Sequence, residues 1–166
     1  MKKLWSPWRS KYIESFIHTK NKDECVFCKS LSEDISDEKS LKVYEGKTCF
    51  VMLNLYPYNS GHIMVIPNKH YAKFEEFSLD ELTETMAVVQ RSLKVLESVM
   101  KPQGFNIGVN LGKAAGAGID DHIHFHIVPR WNGDTNFMPA LGEVKVISQD
   151  LLQTKKMLID AFAKII

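Results

Sequence analysis

The sequence predicts a single domain in which five β-strands combine with one long α-helix. A chain of 166 residues with 45% apolar content can bury one sizeable core. Five short apolar runs, bounded by turn-forming residues, have the length of strands. Ser78 and Glu81 form a capping box, and the apolar residues that follow recur at steps of three and four, as in an amphipathic helix.

Composition and charge exclude several classes of protein. The 21 basic and 20 acidic side chains leave a formal net charge of +1, so no net field directs the chain to nucleic acid or a membrane surface. No segment has the roughly 20 apolar residues of a membrane span, and Lys2 and Lys3 are not followed by an apolar run. Three cysteines, an odd and small number, suit a reducing compartment. We therefore predict a cytoplasmic protein.

Short helices are predicted near both ends of the chain. Ser6 before Pro7 predicts a helix start, because proline at the first helical position loses no hydrogen bond. The aromatic residues of this helix would share one side and pack against the body or a second subunit: Trp8, Tyr12 and Phe16. Ser148 is expected to cap the last helix, whose apolar positions are Leu151, Leu152, Leu158, Ala161 and Phe162. The stretch from Ser30 to Ser40 is polar and predicts a loop.

The strands follow from short apolar runs between turn residues. They are predicted at residues 41–45, 48–54, 62–67, 104–110 and 122–128, the first two forming a hairpin about Gly46. Cys49 shares a strand face with Val51 and Leu53 and is expected to act as a small core residue. The long helix should end before Pro102 and pack on the sheet through one stripe: Leu82, Met86, Val89, Leu93, Leu96 and Met100.

In residues 122–128, histidine alternates with large apolar side chains. Alternate side chains of a strand share a face, so His122, His124 and His126 would lie together. The opposite face, with Ile123, Phe125 and Ile127, would point into the core. Three interpretations compete: packed or solvated histidines, a metal site, and nucleophilic or acid-base chemistry at an anion. Half of the six histidines lie in five residues, which favours the chemical interpretation.

Five of the nine glycines lie between Gly104 and Gly118, just before the histidines. Flexibility alone is one explanation. The other is that a loop without side chains lets backbone N–H groups approach an anion closely. Beside three histidines we favour the anion.

Cys25 and Cys28 form a single C-x-x-C sequence, which suits zinc, redox exchange or no function at all. No second C-x-x-C exists, so a zinc site would need two histidines from elsewhere. Our candidates are His70 and His122.

The stretch His122-Ile-His124-Phe-His126-Ile-Val resembles the motif of the histidine triad (HIT) superfamily. The order of elements agrees from about residue 41 to residue 137. The flanking Leu4-Trp5-Ser6-Pro7-Trp8-Arg9, the loop 53–59 and Val128-Pro129-Arg130-Trp131 resemble the bacterial branch that contains diadenosine tetraphosphate phosphorylases. These flanks extend the likeness over nearly the whole chain.

The resemblance implies an α+β, HIT-like fold with a five-stranded antiparallel sheet, paired as a homodimer across the long helix. Residues 1–40 would be an N-terminal aromatic arm with the C-x-x-C segment, residues 41–137 the HIT domain, and residues 138–166 a C-terminal extension with a helix. All three would form a single structural unit.

The resemblance also implies a mechanism. Neutral His124 would attack the α-phosphorus of an adenine nucleotide in line, forming a covalent nucleotidyl-imidazole that a second nucleophile releases. His126 would hydrogen-bond the phosphate or the leaving oxygen, while His122 orients the site or binds metal. The positions that match nucleotide contacts are Asn54 at the ribose, Asn110, Ala117 and Gly118 at the phosphates, Leu55, and Trp131, which could equally be a packed aromatic residue. A structural zinc would be held by Cys25, Cys28, His70 and His122.

One departure from the family bears on the acceptor. Many members carry a hydroxyl residue just before the triad, where this chain has Gly118 and Ile119. We expect a phosphorylase that cleaves diadenosine tetraphosphate or a related dinucleotide with inorganic phosphate as acceptor. The alternatives are a hydrolase of such dinucleotides or of AMP conjugates, which uses water, and a zinc-stabilised nucleotide-binding protein without turnover.

Overall fold

The computed structural model describes residues 25–134 and 150–165. The elements in chain order are α1 (Val26–Ser32), β1 (Lys42–Glu45), β2 (Cys49–Leu53), β3 (Ile63–Pro67), α2 (Leu79–Met100), β4 (Gly104–Val109), β5 (Phe125–Arg130) and α3 (Leu151–Phe162). The helix predicted after Ser6 lies outside the described residues. Among the helices of the described ranges, none combines the length and the apolar content that a bilayer crossing requires.

The five strands form one sheet in the order β1-β2-β3-β5-β4, and every neighbouring pair is antiparallel. This confirms the predicted α+β class and the five-stranded antiparallel sheet. β3 pairs with β5 so that Met64 lies opposite His126, and β4 pairs with β5 so that Gly108 lies on the other side of His126. His126 therefore lies on an inner strand of the sheet, between β3 and the edge strand β4.

The two faces of the sheet bury different clusters, because strand side chains alternate. The larger core combines one face with α2 and α3 and includes Val51, Ile127 and Leu96. The smaller cluster lies on the opposite face with α1: Phe27, Phe50, Met52, Met64 and Ile66. Ile123, Phe125 and Ile127 all belong to the larger core, as predicted.

The start of the histidine strand was predicted wrongly. β5 begins at Phe125, so His122 and His124 precede the strand and only His126 lies within it. The segment before β5 is held instead by a backbone hydrogen bond of 2.8 Å from the Ile123 N–H to the Tyr71 carbonyl. The predicted alternation of buried and site-facing side chains still holds in this segment, since Ile123 is 3% exposed and packs in the larger core.

The capping box of α2 is confirmed. The Ser78 hydroxyl accepts a hydrogen bond from the Glu81 N–H, and the Glu81 carboxylate accepts one from the Ser78 N–H at 2.9 Å. The predicted apolar stripe was partly wrong, because Met86 is 44% exposed. The buried face instead carries Glu81, Thr85, Val88, Val89, Ser92, Val95 and Leu96. Thr85 and Ser92 are polar, so a pattern of apolar residues did not include them. Their spacing nevertheless places them on the face of α2 that meets the sheet.

Three predictions about the other helices were also wrong. Residues Val26–Ser32 form α1, where the sequence predicted a loop from Ser30 onward. Such a short helix is marginal by itself, and the packing of Phe27 into the smaller cluster stabilises it. The cap of α3 is Asp150, whose carboxylate accepts hydrogen bonds from two backbone N–H groups, whereas Ser148 lies outside the described residues. Leu152 of α3 is 48% exposed, so it is not one of the packed apolar positions.

Asp134 joins the end of β5 to the loop that follows β2. Its carboxylate accepts hydrogen bonds from Arg130 Nε at 2.6 Å, from the Trp131 N–H at 3.1 Å and from Asn59 Nδ2 at 2.8 Å. The pKa of Asp134 is lowered from an ordinary 3.8 to about 2, chiefly by the hydrogen bond from Arg130. The ionised carboxylate therefore stabilises the folded chain above about pH 4, and this contribution is lost as the pH falls toward 2.

We expect Asp134→Asn to lower the free energy of unfolding at pH 7 by about 1.5 kcal/mol, because charge-assisted hydrogen bonds are lost. The difference from the wild type should shrink as the pH falls from 4 toward 2, where the wild-type carboxyl is also neutral. Urea unfolding at pH 7, 4 and 3 measures both effects. Asp120→Asn is the matched control, since within residues 25–134 and 150–165 Asp120 makes only a 3.8 Å ion pair with exposed Lys113. A difference that does not change with pH would contradict the assignment.

Candidate active site

A cavity of about 310 Å³ lies on the α1 side of the sheet, beside the histidines. Its walls come from α1 and the following loop, from β2 and β3, and from the loops after β2 and β4. Apolar side chains form much of its lining: Val26, Phe27, Leu41, Met52, Leu55, Met64 and Ile119. The polar lining residues include Ser30, Glu33, Lys39, Asn54, Asn110, His124 and His126. A volume of this size is at the lower end of small-molecule sites and suits one nucleotide better than two.

Most of the predicted site residues meet at this cavity. Among the residues that line it are His124, His126, Asn54, Leu55, Asn110 and Gly118. His122, Ala117 and Trp131 are not among the lining residues of the described chain. Trp131 follows β5 at the end away from His124 and is linked to Asp134 through its backbone N–H.

The His124 ring is held as one neutral tautomer. Its Nδ1 lies 2.9 Å from the His122 carbonyl oxygen, and a carbonyl can only accept, so Nδ1 carries the hydrogen. Nε2 therefore keeps a lone pair. Burial lowers the pKa of His124 below its ordinary 6.5, so the ring is neutral at pH 7. A neutral imidazole with an available lone pair beside a cavity is equipped to act as a nucleophile.

His126 belongs to a chain of hydrogen bonds that sets its tautomer too. The Tyr58 N–H donates to His62 Nδ1 at 3.0 Å, so the hydrogen of the neutral His62 ring is on Nε2. That nitrogen lies 2.9 Å from His126 Nδ1 and donates to it. The hydrogen of neutral His126 is therefore on Nε2, which makes this atom a donor. His124 and His126 lie close together, with ring centroids 4.7 Å apart.

Sequence reasoning missed His62. It was interpreted only as the first residue of a strand, yet it is fully buried and contacts His126 directly. The alternation of β3 places His62 on the face of Met64, the residue opposite His126. That signal could be used only once the register between β3 and β5 was known.

Cys25, Cys28, His70 and His122 form a cluster whose ligand atoms all lie within 4.8 Å of one another. His122 Nδ1 is 3.2 Å from the Cys25 sulfur and 3.7 Å from the Cys28 sulfur, and His70 Nδ1 is 3.4 Å from the Cys28 sulfur. Tetrahedral zinc, with bonds of about 2.3 Å to sulfur and about 2.0 Å to nitrogen, keeps its ligand atoms about 3.5 Å apart. The cluster therefore has the composition and the spacing of a structural zinc site.

The protonation of the cluster also suits a cation. His122 Nε2 lies 3.0 Å from the Pro67 carbonyl and must donate to it, which leaves the lone pair on Nδ1, the atom beside the sulfurs. Burial lowers the pKa of His122, so this ring too is neutral. Burial raises the pKa of the Cys25 thiol to about 11 in the protein alone, and a bound cation reverses such a shift by stabilising the thiolate.

The cluster and the cavity share residues and contacts. Phe27 lies between the two cysteines in sequence, and its ring centroid is 5.4 Å from that of His122 and 4.9 Å from that of His124. The His122 backbone carbonyl in turn orients His124. Interactions that stabilise the Cys/His cluster therefore also stabilise the position of α1 beside the cavity.

The loop after β4 turns tightly through glycines. Gly112 and Gly116 have φ of 77° and 89°, which favour glycine, and they flank a 3-10 turn at Lys113–Ala115. Gly116 and Gly118 line the cavity. The Ala117 N–H is engaged in a long hydrogen bond, 3.3 Å, to the Gly112 carbonyl. Gly104 and Gly108 lie in β4 instead, where an added Cβ would meet nothing within 4 Å.

Comparison with known sequences agrees with the motif. The sequence-family model described as HIT domain matches residues 36–133 of this chain. AP-4-A phosphorylase of Mycobacterium tuberculosis (strain ATCC 25618 / H37Rv) is 38% identical over 167 residues, which cover 99% of this chain and 86% of that protein. Adenosine 5'-monophosphoramidase of Saccharomyces cerevisiae is 34% identical over 106 residues, 64% of this chain and 62% of that protein.

Solved structures agree with the fold. A Zn-bound histidine triad family protein from Mycobacterium smegmatis superposes with a TM-score of 0.67 at 29% identity, covering 85% of this chain and 94% of that chain. A histidine triad nucleotide-binding protein from Sulfolobus tokodaii gives a TM-score of 0.68 at 27% identity, covering 84% and 93%.

Proposed function

The chain belongs to the HIT family, and from that premise we propose that it is a phosphorylase of diadenosine tetraphosphate or related dinucleoside polyphosphates. The observation that carries the proposal is the neutral His124 at a nucleotide-sized cavity, with its lone pair on Nε2. The similarity to AP-4-A phosphorylase over 99% of the chain supports the choice of substrate and of phosphate as acceptor.

In the first step, His124 Nε2 attacks the α-phosphorus, and the bond from that phosphorus to the bridging oxygen breaks. The Nε2–P bond forms as the remaining polyphosphate, ATP in the case of diadenosine tetraphosphate, leaves with the electron pair. His126 would donate its Nε2 hydrogen to the phosphate or to the leaving oxygen, a tautomer that the contact of its Nδ1 with His62 supports. The His122 carbonyl, which accepts from His124 Nδ1–H, stabilises the positive charge that develops on the ring.

In the second step, inorganic phosphate attacks the same phosphorus from the side opposite the histidine. The N–P bond breaks, His124 recovers its lone pair and ADP leaves. Each displacement is in line and inverts the phosphorus, so two steps restore its configuration. The reaction consumes only the dinucleotide and inorganic phosphate, and it releases ATP and ADP.

The remaining predicted contacts have distinct parts in this proposal. Asn54 and Leu55 hold the ribose, and the Asn54 side-chain oxygen already accepts from the Tyr56 N–H, which orients the amide. Asn110 and Gly118 hold the phosphates from the cavity wall. Ala117 and Trp131 would contact the part of a dinucleotide that extends beyond the cavity.

A hydrolase is the second candidate, because the similar yeast protein is an adenosine 5'-monophosphoramidase. Product analysis separates the two. With diadenosine tetraphosphate and inorganic phosphate, we expect ADP and ATP in equal amounts and no AMP. The control omits phosphate, and turnover should then nearly stop. Formation of AMP and ATP at the same rate with or without phosphate would instead establish the hydrolase.

We propose that zinc is bound by Cys25, Cys28, His70 and His122 as a structural ion. The fit of the four donors to one tetrahedral ion supports it, as does the Zn-bound relative of similar fold. When bound, the ion would cross-link α1 to the segment before β5. The proposed chemistry at His124 needs no contact with it.

We also propose that the protein is a homodimer, as the family resemblance implies. Support comes from two exposed apolar side chains, Met86 on α2 and Ile107 on β4, which is the last strand of the sheet in the described chain. The mass in solution tests this, with twice 19.0 kDa expected.

A further inference from the structure

The cavity has a polar end that the proposed chemistry does not use. Ser30, Glu33 and Lys39 line it, and all three come from α1 or the loop that follows. α1 starts beside His122, because the Cys25 sulfur is 3.2 Å from His122 Nδ1. At about 1.5 Å of rise per residue, Ser30 is then about 7 Å further along the helix, and Glu33 follows its last turn. The polar end therefore lies further along α1 than Cys25, the residue that contacts His122.

Ser30 is the informative residue. It is 9% exposed, lines the cavity, and its hydroxyl makes no hydrogen bond to any residue in 25–134 or 150–165. A hydroxyl that lines a cavity and has no protein partner in the described chain can form a hydrogen bond to a ligand. The Glu33 carboxylate, half-buried at the same wall, likewise has no hydrogen bond or ion pair within those ranges.

Apolar side chains of the cavity lining form a slot beside the histidines. Phe27, Met52 and Met64 belong to one packed cluster and also line the cavity, and Ile119 lies on the same lining. The Phe27 ring is 4.9 Å from the His124 ring, so the slot begins at the reacting centre. With the phosphate at His124 and the ribose at Asn54, an aromatic base would fill the slot, and its polar edge would reach Ser30 and Glu33.

We propose that Ser30 and Glu33 select the base of the bound nucleotide and favour a 6-aminopurine. This inference rests on the proposed function, because the orientation of the nucleotide follows from attack by His124. The Glu33 carboxylate can only accept, so it pairs with the exocyclic amino group. The Ser30 hydroxyl donates to the adjacent ring nitrogen. A 6-oxopurine presents a carbonyl and a ring N–H at these positions, so two acceptors would face each other at Glu33.

Binding of AMP and IMP tests the inference, since these nucleotides differ only at this edge of the base and carry no polyphosphate to be cleaved. Titration calorimetry should give a wild-type dissociation constant for AMP at least about tenfold below that for IMP, the effect of one charge-assisted hydrogen bond. Glu33→Gln should reduce this ratio to about threefold or less, because a carboxamide both donates and accepts. Ser30→Ala should weaken AMP binding about fivefold.

Two matched variants control for charge and for folding. Glu38→Gln makes the same change at an exposed residue that lines a separate groove beside α3, and it should leave the AMP-to-IMP ratio unchanged. Ser32→Ala removes a hydroxyl of α1 that donates to the Lys29 carbonyl at 2.8 Å, and it should leave AMP binding unchanged.

The outcomes separate this inference from the proposed function. Equal binding of AMP and IMP by the wild type would overturn base selection and leave the phosphorylase proposal intact. If Glu33→Gln still bound AMP at least tenfold more tightly than IMP, the proposed role of Glu33 in base selection would be overturned. Tighter binding of IMP would assign the edge to Lys39, a donor at the same wall, and overturn the inference. If neither nucleotide bound, the proposed function would fail together with it.

Discussion

His124→Ala is expected to lower the turnover of diadenosine tetraphosphate by about 10⁴-fold or more. Removal of a covalent nucleophile costs this much in enzymes whose other groups remain in place. His124 is the residue whose Nε2 lone pair is set by a hydrogen bond from Nδ1 to the His122 carbonyl, 2.9 Å away. Nucleotide binding should change little, because in the proposed complex other residues would contact the base and the ribose.

The covalent intermediate gives a second measurement. Substrate with a radiolabelled α-phosphate, quenched rapidly in the absence of inorganic phosphate, should leave an acid-labile label on wild-type protein and none on His124→Ala. His126→Asn is the matched control, since it alters the neighbouring imidazole and leaves the attacking one. It should still form the adduct, more slowly. Label retained by His124→Ala would contradict the nucleophile assignment, and turnover by neither form would favour a nucleotide-binding protein.

Loss of the proposed zinc ion is expected to have the largest effect on stability. Cys28→Ser, or chelation of the wild type, should remove about one equivalent of zinc and lower the free energy of unfolding by about 4 kcal/mol or more. The ion would be the cross-link between α1 and His122. AMP affinity should fall as well, because α1 provides Phe27 and Ser30 to the cavity wall. Metal analysis, urea unfolding and titration calorimetry measure the three effects.

Cys49→Ala is the matched control for the metal variant. Cys49 is fully buried in the larger core, on the sheet face opposite α1, and burial raises the pKa of its thiol to about 12. The variant loses some packing energy, yet it should keep a full equivalent of zinc and normal AMP affinity. Carefully purified wild-type protein with far less than one equivalent of zinc would contradict the four-ligand site.

The pattern of short-range residue types was enough to predict several features. The capping box at Ser78 and Glu81 is local, so it needed no tertiary information. Period-two alternation placed Phe125 and Ile127 in the core and His126 on the other face, because strand geometry alone determines which side chains share a face. The histidine motif and its flanks predicted the family, and through it the fold.

Features that depend on contacts between residues far apart in the sequence could not be derived from local residue patterns. Met86 is exposed and Thr85 is buried because the sheet, and not the apolar count, determines which face of α2 is covered. α1 is a helix because Phe27 packs beneath it, a contact with strands that lie later in the chain. Its seven residues are too few to form a stable helix by local preference.

The sequence by itself determined which chemistry is available: three imidazoles on alternate residues, a pair of thiols and a glycine loop. Only the tertiary structure decided which nitrogen of the His122 and His126 rings has the lone pair. The tautomer of His122 depends on the Pro67 carbonyl, and that of His126 depends on His62, through contacts between residues more than fifty positions apart. A neutral imidazole can carry its proton on either nitrogen, so its role is set by the partner that the fold places beside it.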